Sequence, residues 1–331
     1  MAERSAMSVE LPPALRSALQ RELEGVSRKG LAERASRTSE AYRAGKGSAG
    51  VIRALEDALA YALARLPATY AACATVFAEA ARLAPGFAPK TVLDAGSGPA
   101  AASWAAREAW PGLAGVTWLD ASAPFLDLAG RLAADAPPVI AEAARLKADL
   151  VGGGAWPRAD LVAASYALAE IPPAAQAGVV RALWAAAEGM LVLVEPGTPA
   201  GYARLLAARE ALIAEGADVL APCPHARACP LAAPDWCHFT VRLPRSRDHK
   251  LAKGAETPFE DEKFAYLVAA RPGVGAAART SRILRHPRMG KPGLELRLCG
   301  PEGLETRLVA RRDKAAFPRA RRAGWGDAWE G

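Results

Sequence analysis

Between residues 91 and 196 the chain alternates short apolar runs with amphipathic stretches of helical length, and this alternation restricts the fold more than any other feature. Thr91-Val92-Leu93-Asp94 leads into Ala95-Gly96-Ser97-Gly98-Pro99 and an Ala-rich helical stretch. Residues 115–120 form a second apolar run, followed by the helical stretch APFLDLAGRLAADA. Val139-Ile140 is the expected start of a weak third strand. Residues 160–165 make a fourth, with QAGVVRALWAAAEG after it, and residues 189–196 a fifth. Short strands separated by helices pack as a doubly wound, mostly parallel sheet, so the expectation is an α/β fold.

The flanks differ in texture. Residues 1–88 read as a helical region. Leu15, Leu19 and Leu23 recur at helical spacing behind Ser8 as a candidate cap, and Ile52, Leu55, Leu59 and Leu63 repeat the pattern up to Pro67, the expected helix end. A further helix runs to Pro85-Gly86, and the Arg/Ser/Gly stretch 27–50 reads as a mobile loop. Residues 89–220 form the α/β unit. Residues 221–331 form a Cys-rich, basic region with strand-like segments at 266–272, 279–299 and 304–311, placed to complete or extend the sheet. With 51% hydrophobic and 23% charged residues the chain carries enough apolar surface for a core, which excludes a disordered chain or a disulfide-stapled miniprotein. No apolar run reaches the roughly 18–20 residues that a membrane span needs. The opening MAERSAMSVELPP has no continuous apolar run, so neither a secretory signal nor a transit peptide is expected, and the expected location is the cytoplasm.

The strand-end acid and glycines of Asp94-Ala-Gly-Ser-Gly stand where open α/β sheets bind ligands, and Gly96 and Gly98 let backbone approach a ligand closely. Asp120 ends the next strand, where a carboxylate accepts ribose hydroxyls. A dinucleotide fold asks for a third glycine where Ala101 stands, and no Gly-Lys-Ser/Thr follows as in a phosphate-binding loop. The Asp-x-Gly-x-Gly pattern with a second acid resembles the class I S-adenosylmethionine-dependent methyltransferases. That resemblance implies that Asp94, Gly96, Ser97 and Gly98 line the methionine and ribose region, that Asp120 holds the ribose, and that Asp149 lies near the adenine. The segment after the fourth strand, Ser165-Tyr166-Ala167-Leu168-Ala169-Glu170-Ile171-Pro172-Pro173, lacks the Asn/Asp-Pro-Pro-Tyr of amino-methylating families. No cysteine between 74 and 222 is available as a nucleophile, and Glu170 is either a general base or an ordinary helix-edge carboxylate. No catalytic residue is assigned.

Cys73 reads as a small buried side chain in an Ala-rich helix. The other four, Cys223, Cys229, Cys237 and Cys299, fall in the last third, three of them in a Pro-rich loop. In a chain with no secretory signal, clustered cysteines favour metal over disulfide. Their irregular spacing suits an iron–sulfur cluster and equally a tetrahedral zinc, with His225 or His238 as a possible substitute ligand. Residues 241–331 carry 20 Lys/Arg against 11 Asp/Glu, and five of the basic residues fall within 242–253 beside Trp236 and Phe239. Basic side chains with neighbouring rings suit RNA, whose phosphates and unstacked bases they contact.

PCPHARACPL, DWCHFTVRLPRSRDHKLAKG, FEDEKFAYLVAAR and the final WGD resemble the methyltransferase-like family associated with the mitochondrial small ribosomal subunit and its bacterial relatives, over roughly residues 90–327. The resemblance implies a class I, Rossmann-like methyltransferase fold with an N-terminal helical region and a Cys-rich metal-binding C-terminal extension. It implies binding to small-subunit rRNA during assembly, and a 4Fe-4S cluster on Cys223, Cys229, Cys237 and Cys299. The expectation is therefore a ribosome assembly factor on an S-adenosyl-L-methionine-binding scaffold, monomeric when free, from a bacterial cytoplasm, or from mitochondria if eukaryotic. The competing expectation is an active rRNA methyltransferase.

Overall fold

The structure, a computed structural model, describes residues 9–44, 47, 48, 50–152, 156–275 and 280–330. Ser8, residue 279 and residues 45, 46 and 49 of the expected loop lie outside them. Among the described residues, three helices precede the first strand: α1 (Pro13–Glu22), α2 (Arg28–Arg43) and α3 (Leu55–Leu83). α2 occupies most of the stretch expected to be a loop. Ser27 caps it by accepting a hydrogen bond from the Gly30 N–H at 3.2 Å, and Leu31, Ala35 and Thr38 bury one face. That stripe is only one residue wide per turn, and the charged residues between hide it in the sequence. α3 runs unbroken through Pro67, where a helix end was expected. A mid-helix proline deletes one N–H and crowds the carbonyl four residues back. Burial of Leu59, Leu63 and Leu66 before it and of Tyr70, Val76 and Phe77 after it offsets that cost.

The main sheet contains β1 (Thr91–Ala95), β2 (Gly115–Asp120), β3 (Ala144–Lys147), β4 (Ala159–Ser165), β5 (Ala187–Pro196), β6 (Asp218–Ala221), β7 (Phe239–Pro244) and β8 (Phe259–Ala270). Its order is β3-β2-β1-β4-β5-β8-β6, with β7 also paired to β8. β1 to β5 are parallel, and β8 runs antiparallel to β5, β6 and β7. The connections hold α4 (Ala101–Ala109), α5 (Ala123–Leu132), α6 (Pro138–Ala141), α7 (Pro173–Ala186) and α8 (Pro199–Ala214). Val139-Ile140, expected to open the third strand, lies in α6, and β3 begins at Ala144. Pro138 at the first helical position has the backbone torsion a helix start needs and lacks only an N–H that would have no partner there.

Side chains alternate across each strand, so the sheet has two cores. Val92, Trp118, Leu161, Val192 and Phe264 pack with α3, α4 and α5 on one face, while Leu93, Leu119, Val162, Leu191 and Leu267 pack with α7 and α8 on the other. A second sheet follows α9 (Arg247–Lys253). It comprises β9 (Ser281–Ile283), β10 (Arg288–Met289), β11 (Gly293–Gly300), β12 (Gly303–Ala310) and β13 (Ala328–Trp329), with α10 (Ala316–Arg322) against it. Ile283, Leu294, Leu296, Leu298, Val309 and Trp329 form its own core. No described helix is long and apolar enough to cross a membrane.

Candidate functional site

The strand order reverses between β1 and β4, and ligands of open α/β sheets bind outside the carboxyl ends of the strands at such a point. There the chain leaves β1 through Gly96 (φ +69°), Gly98 (φ +51°) and Ala100 (φ +65°) into α4. A Cβ on Gly96 would stand 2.8 Å from the Cβ of Ala167, so both torsion and space require glycine. Asp120, at the end of β2, accepts the Gly98 N–H at one oxygen and the Ser122 N–H at the other, both at 2.8 Å. Each oxygen keeps a lone pair for a further donor. Burial pushes this carboxyl above the usual range, against the pull of the two amides.

Asp94 is fully buried. Its Oδ2 accepts from the Ser103 N–H at 3.0 Å and the Ser103 hydroxyl at 2.7 Å, and Trp118 Nε1 donates to the same hydroxyl oxygen at 3.1 Å. Burial drives the Asp94 carboxyl up to about 7, more than the Ser103 bonds lower it. Asp94 Oδ1 and Ser97 Oγ are buried without a partner among the described residues. Two orphaned polar atoms beside a glycine turn are what a polar ligand would satisfy, so these residues fit a bound S-adenosylmethionine. The structure brings Asp94, Gly96, Ser97, Gly98 and Asp120 to one strand edge. Asp149 follows β3 on the surface and accepts the Val151 N–H at 2.8 Å, while its neighbour Leu150 reaches towards Gly96.

The helical region closes over this edge. Glu170 accepts hydrogen bonds from the Tyr42 hydroxyl, from the Ser48 N–H at 3.0 Å and from the Ser48 hydroxyl at 2.5 Å. Its carboxylate thus clasps the segment after α2. Tyr61 packs between Tyr42 and Phe125 with tilted rings, the centroids 6.3 and 5.0 Å away. At the end of β4, Tyr166 takes a left-handed backbone (φ +58°), which costs a bulky side chain about 1 kcal/mol or more. Its hydroxyl donates to Glu262 Oε1 at 2.8 Å, and Arg65 binds both oxygens of the same carboxylate at 2.9 and 3.3 Å. No local pattern in the sequence announces this triad, because its members come from α3, the end of β4 and β8.

A second cavity lies between α8, the loop after β6 and the small sheet. Cys223, Cys229, Cys237 and Cys299 all line it, with Tyr202, Arg209 and Arg282. Among the described residues no group of three His, Cys, Asp or Glu side chains stands gathered at metal-binding geometry. The Tyr202 hydroxyl contacts Cys229 Sγ at 3.1 Å. Burial raises the Cys223 thiol, carries Cys237 well above its ordinary value and pushes Cys299 up to about 12, and the other cysteines add to each shift. Arg209 and Arg282 act in the opposite direction. Four thiols lining one cavity are the donor type that a thiolate-binding metal takes, so the chemistry of the set fits a metal centre although the sulfurs are not gathered at ligand geometry. Neither His225 nor His238 lines this cavity. Arg209 donates to the carbonyls of His225 and Arg227 at 2.7 and 2.8 Å, which shapes the cysteine loop. Arg282 Nη2 meets Glu79 at 2.6 Å.

The basic stretch 242–253 differs from its sequence reading. Arg242 binds Asp261 through two bonds at 2.8 and 2.9 Å, while Arg245 and Lys253 both bind Glu260. Phe239 is buried against Phe264 and Tyr266 and offers no stacking face. The acids that pair three of its five cations come from β8, the strand beside β7.

The sheet order and the glycine turn after β1 define a class I methyltransferase-like fold. Residues 55–330 match the family described as mitochondrial small ribosomal subunit Rsm22, and the chain belongs to that family. It is 32% identical over 289 residues to the human mitochondrial ribosome assembly protein METTL17, a match covering 81% of this chain and 61% of that protein. Among solved structures, it is similar to magnesium protoporphyrin IX methyltransferase of Synechocystis PCC 6803 with bound SAM, at 17% identity and TM-score 0.41, covering 75% of this chain and 99% of that one. It is also similar to a putative RNA methyltransferase of Pyrococcus horikoshii, at 12% identity and TM-score 0.40, covering 60% and 83%.

Proposed function

We propose that this protein is a small-ribosomal-subunit assembly factor that binds rRNA on an S-adenosylmethionine-binding, methyltransferase-like scaffold. In this reading Cys223, Cys229, Cys237 and Cys299 hold a 4Fe-4S cluster that orders the C-terminal region. A bound S-adenosylmethionine supplies an electrophilic methyl group. Asp120 holds its ribose, and the orphaned Asp94 Oδ1 and Ser97 Oγ accept or donate at its polar end. The observation that carries the assembly reading over the transferase reading is the occupancy of the β4 end. Tyr166 is committed to Glu262 and Arg65, and Glu170 to Tyr42 and Ser48, so neither polar side chain is left to orient a methyl acceptor.

Anaerobic purification with metal analysis and a visible spectrum tests the centre. Iron and sulfide with broad visible absorption support it, zinc in a colourless protein replaces the cluster, and no metal removes it. Co-sedimentation with immature small subunits tests the partner. Labelled S-adenosylmethionine that binds but gives no label to naked rRNA, mature subunits or assembly intermediates supports the scaffold reading. Transfer abolished by Asp120→Ala overturns it in favour of a working methyltransferase.

A further inference from the structure

A cleft of about 360 Å³ opens beside the cysteine cavity, between the loop after β6, the β9–β10 turn and the segment before β13. It brings together rings and cations from parts of the chain far apart in sequence. Trp236 and His238 stack at 4.8 Å with 16° between their planes, and Trp325 meets His238 edge-on at 4.8 Å and His286 at 5.2 Å. Arg285, Arg288 and Arg297 complete the wall. Arg285 is held by Asp235 at 2.5 Å, and Arg297 contacts the Thr306 hydroxyl at 3.2 Å. Among the described residues neither Arg288 nor Arg297 makes an ion pair, although Glu295 stands across from Arg288 in the β10–β11 register, whereas Arg242, Arg245 and Lys253 each bind an acid. Trp325 Nε1 is a buried donor with no acceptor among them.

Aromatic faces bind bases whatever their sequence, and guanidinium groups bind the phosphates beside them. A paired helix offers no free base face, whereas an unstacked nucleotide offers both a face and a flanking phosphate. We infer that this cleft takes one unstacked nucleotide of a single-stranded RNA segment, its base against Trp325, Trp236 and His238 and its phosphates on Arg288 and Arg297. The inference rests on the RNA-binding reading above and moves the contact from the basic stretch 242–253 to this cleft. Trp236 and His238 flank Cys237 in the chain, so the cysteine loop sets where the stacking surface stands.

The test uses the full chain, purified anaerobically, and a single RNA strand of about ten nucleotides with a central 2-aminopurine, against the duplex of the same sequence. Binding of the strand ahead of the duplex, with quenching of the fluorescent base, is expected. Trp325→Ala should weaken the strand about tenfold or more and remove the quenching, while Trp325→Phe keeps both. Arg288→Gln with Arg297→Gln should lower the slope of log affinity against log salt by about 1.4. Should Trp325→Ala fail to fold, the arginine pair alone decides, because its salt slope does not depend on the tryptophan. Unchanged affinity and quenching in these variants overturn the cleft and leave RNA binding elsewhere on the chain intact. Preference for the duplex overturns the unstacked nucleotide. Binding of neither strand nor duplex overturns the RNA-binding reading and the cleft with it.

Discussion

At the level of single residues, Asp94 and Asp120 sit one strand apart and face opposite problems. Asp120 gives its charge to two backbone amides and keeps room for a ligand, whereas Asp94 is buried with one oxygen satisfied and the other without a partner among the described residues. A carboxyl raised to about 7 in the folded state binds its proton there over a pH range in which the unfolded chain has already released it. Its contribution is therefore fully present below the unfolded value near 4 and is lost as pH rises towards 7. Glu195, raised to about 7 by burial against the pull of Arg204, adds a loss of the same sign. The urea midpoint should fall between pH 5 and pH 8, and Asp94→Asn should flatten that fall by on the order of 2 kcal/mol. An unchanged slope would show that Asp94 is ionised in the fold. Asp120→Ala should weaken S-adenosylmethionine about tenfold or more in calorimetry, with a loss of about 1 kcal/mol in stability from the two freed amides.

Elements carry a different lesson, visible in the clasp on Glu170. The 3₁₀ turn Leu168–Glu170 and the segment after α2 are more than a hundred residues apart, and one carboxylate joins them. Glu170→Ala should leave the sheet intact, raise amide exchange at Ser48 and its described neighbours, and weaken cofactor binding severalfold, as read by exchange mass spectrometry and calorimetry. A clasp of this kind is not written in local sequence. The parallel strands were legible because each is a short apolar run bounded by turn residues, and the glycine turn because Gly96 and Gly98 follow the first of them at once. α2 was not, because its buried stripe of Leu31, Ala35 and Thr38 is sparse and acquires meaning only against α3. The unbroken course of α3 through Pro67 was hidden for the same reason: packing on both sides of the proline decides it, and propensity argues the other way. The pairing of Arg242, Arg245 and Lys253 with Asp261 and Glu260 depends on the register of β7 against β8, which no charge count contains.

Across the whole molecule, the two sheets meet at the four cysteines. Cys223, Cys229 and Cys237 lie on the connection from β6 to β7 in the main sheet, while Cys299 comes from β11 at the centre of the small one. Arg282 adds a second tie, from β9 to Glu79 on α3. The small sheet's own core holds few residues, and a core of that size supplies little stability alone. A metal bound by all four thiolates would close the long loop between Cys237 and Cys299 in the folded state only, so its binding energy would count as energy of docking. Removing the metal with a chelator under anaerobic conditions should therefore split one unfolding transition into two. The small sheet should lose exchange protection first while β1, β4 and β5 keep theirs, and Cys299→Ser should reproduce the split without chelator. A single transition that survives both treatments would place the docking energy in the Arg282–Glu79 contact and the apolar packing around it, and Arg282→Met would then be the variant that separates the sheets.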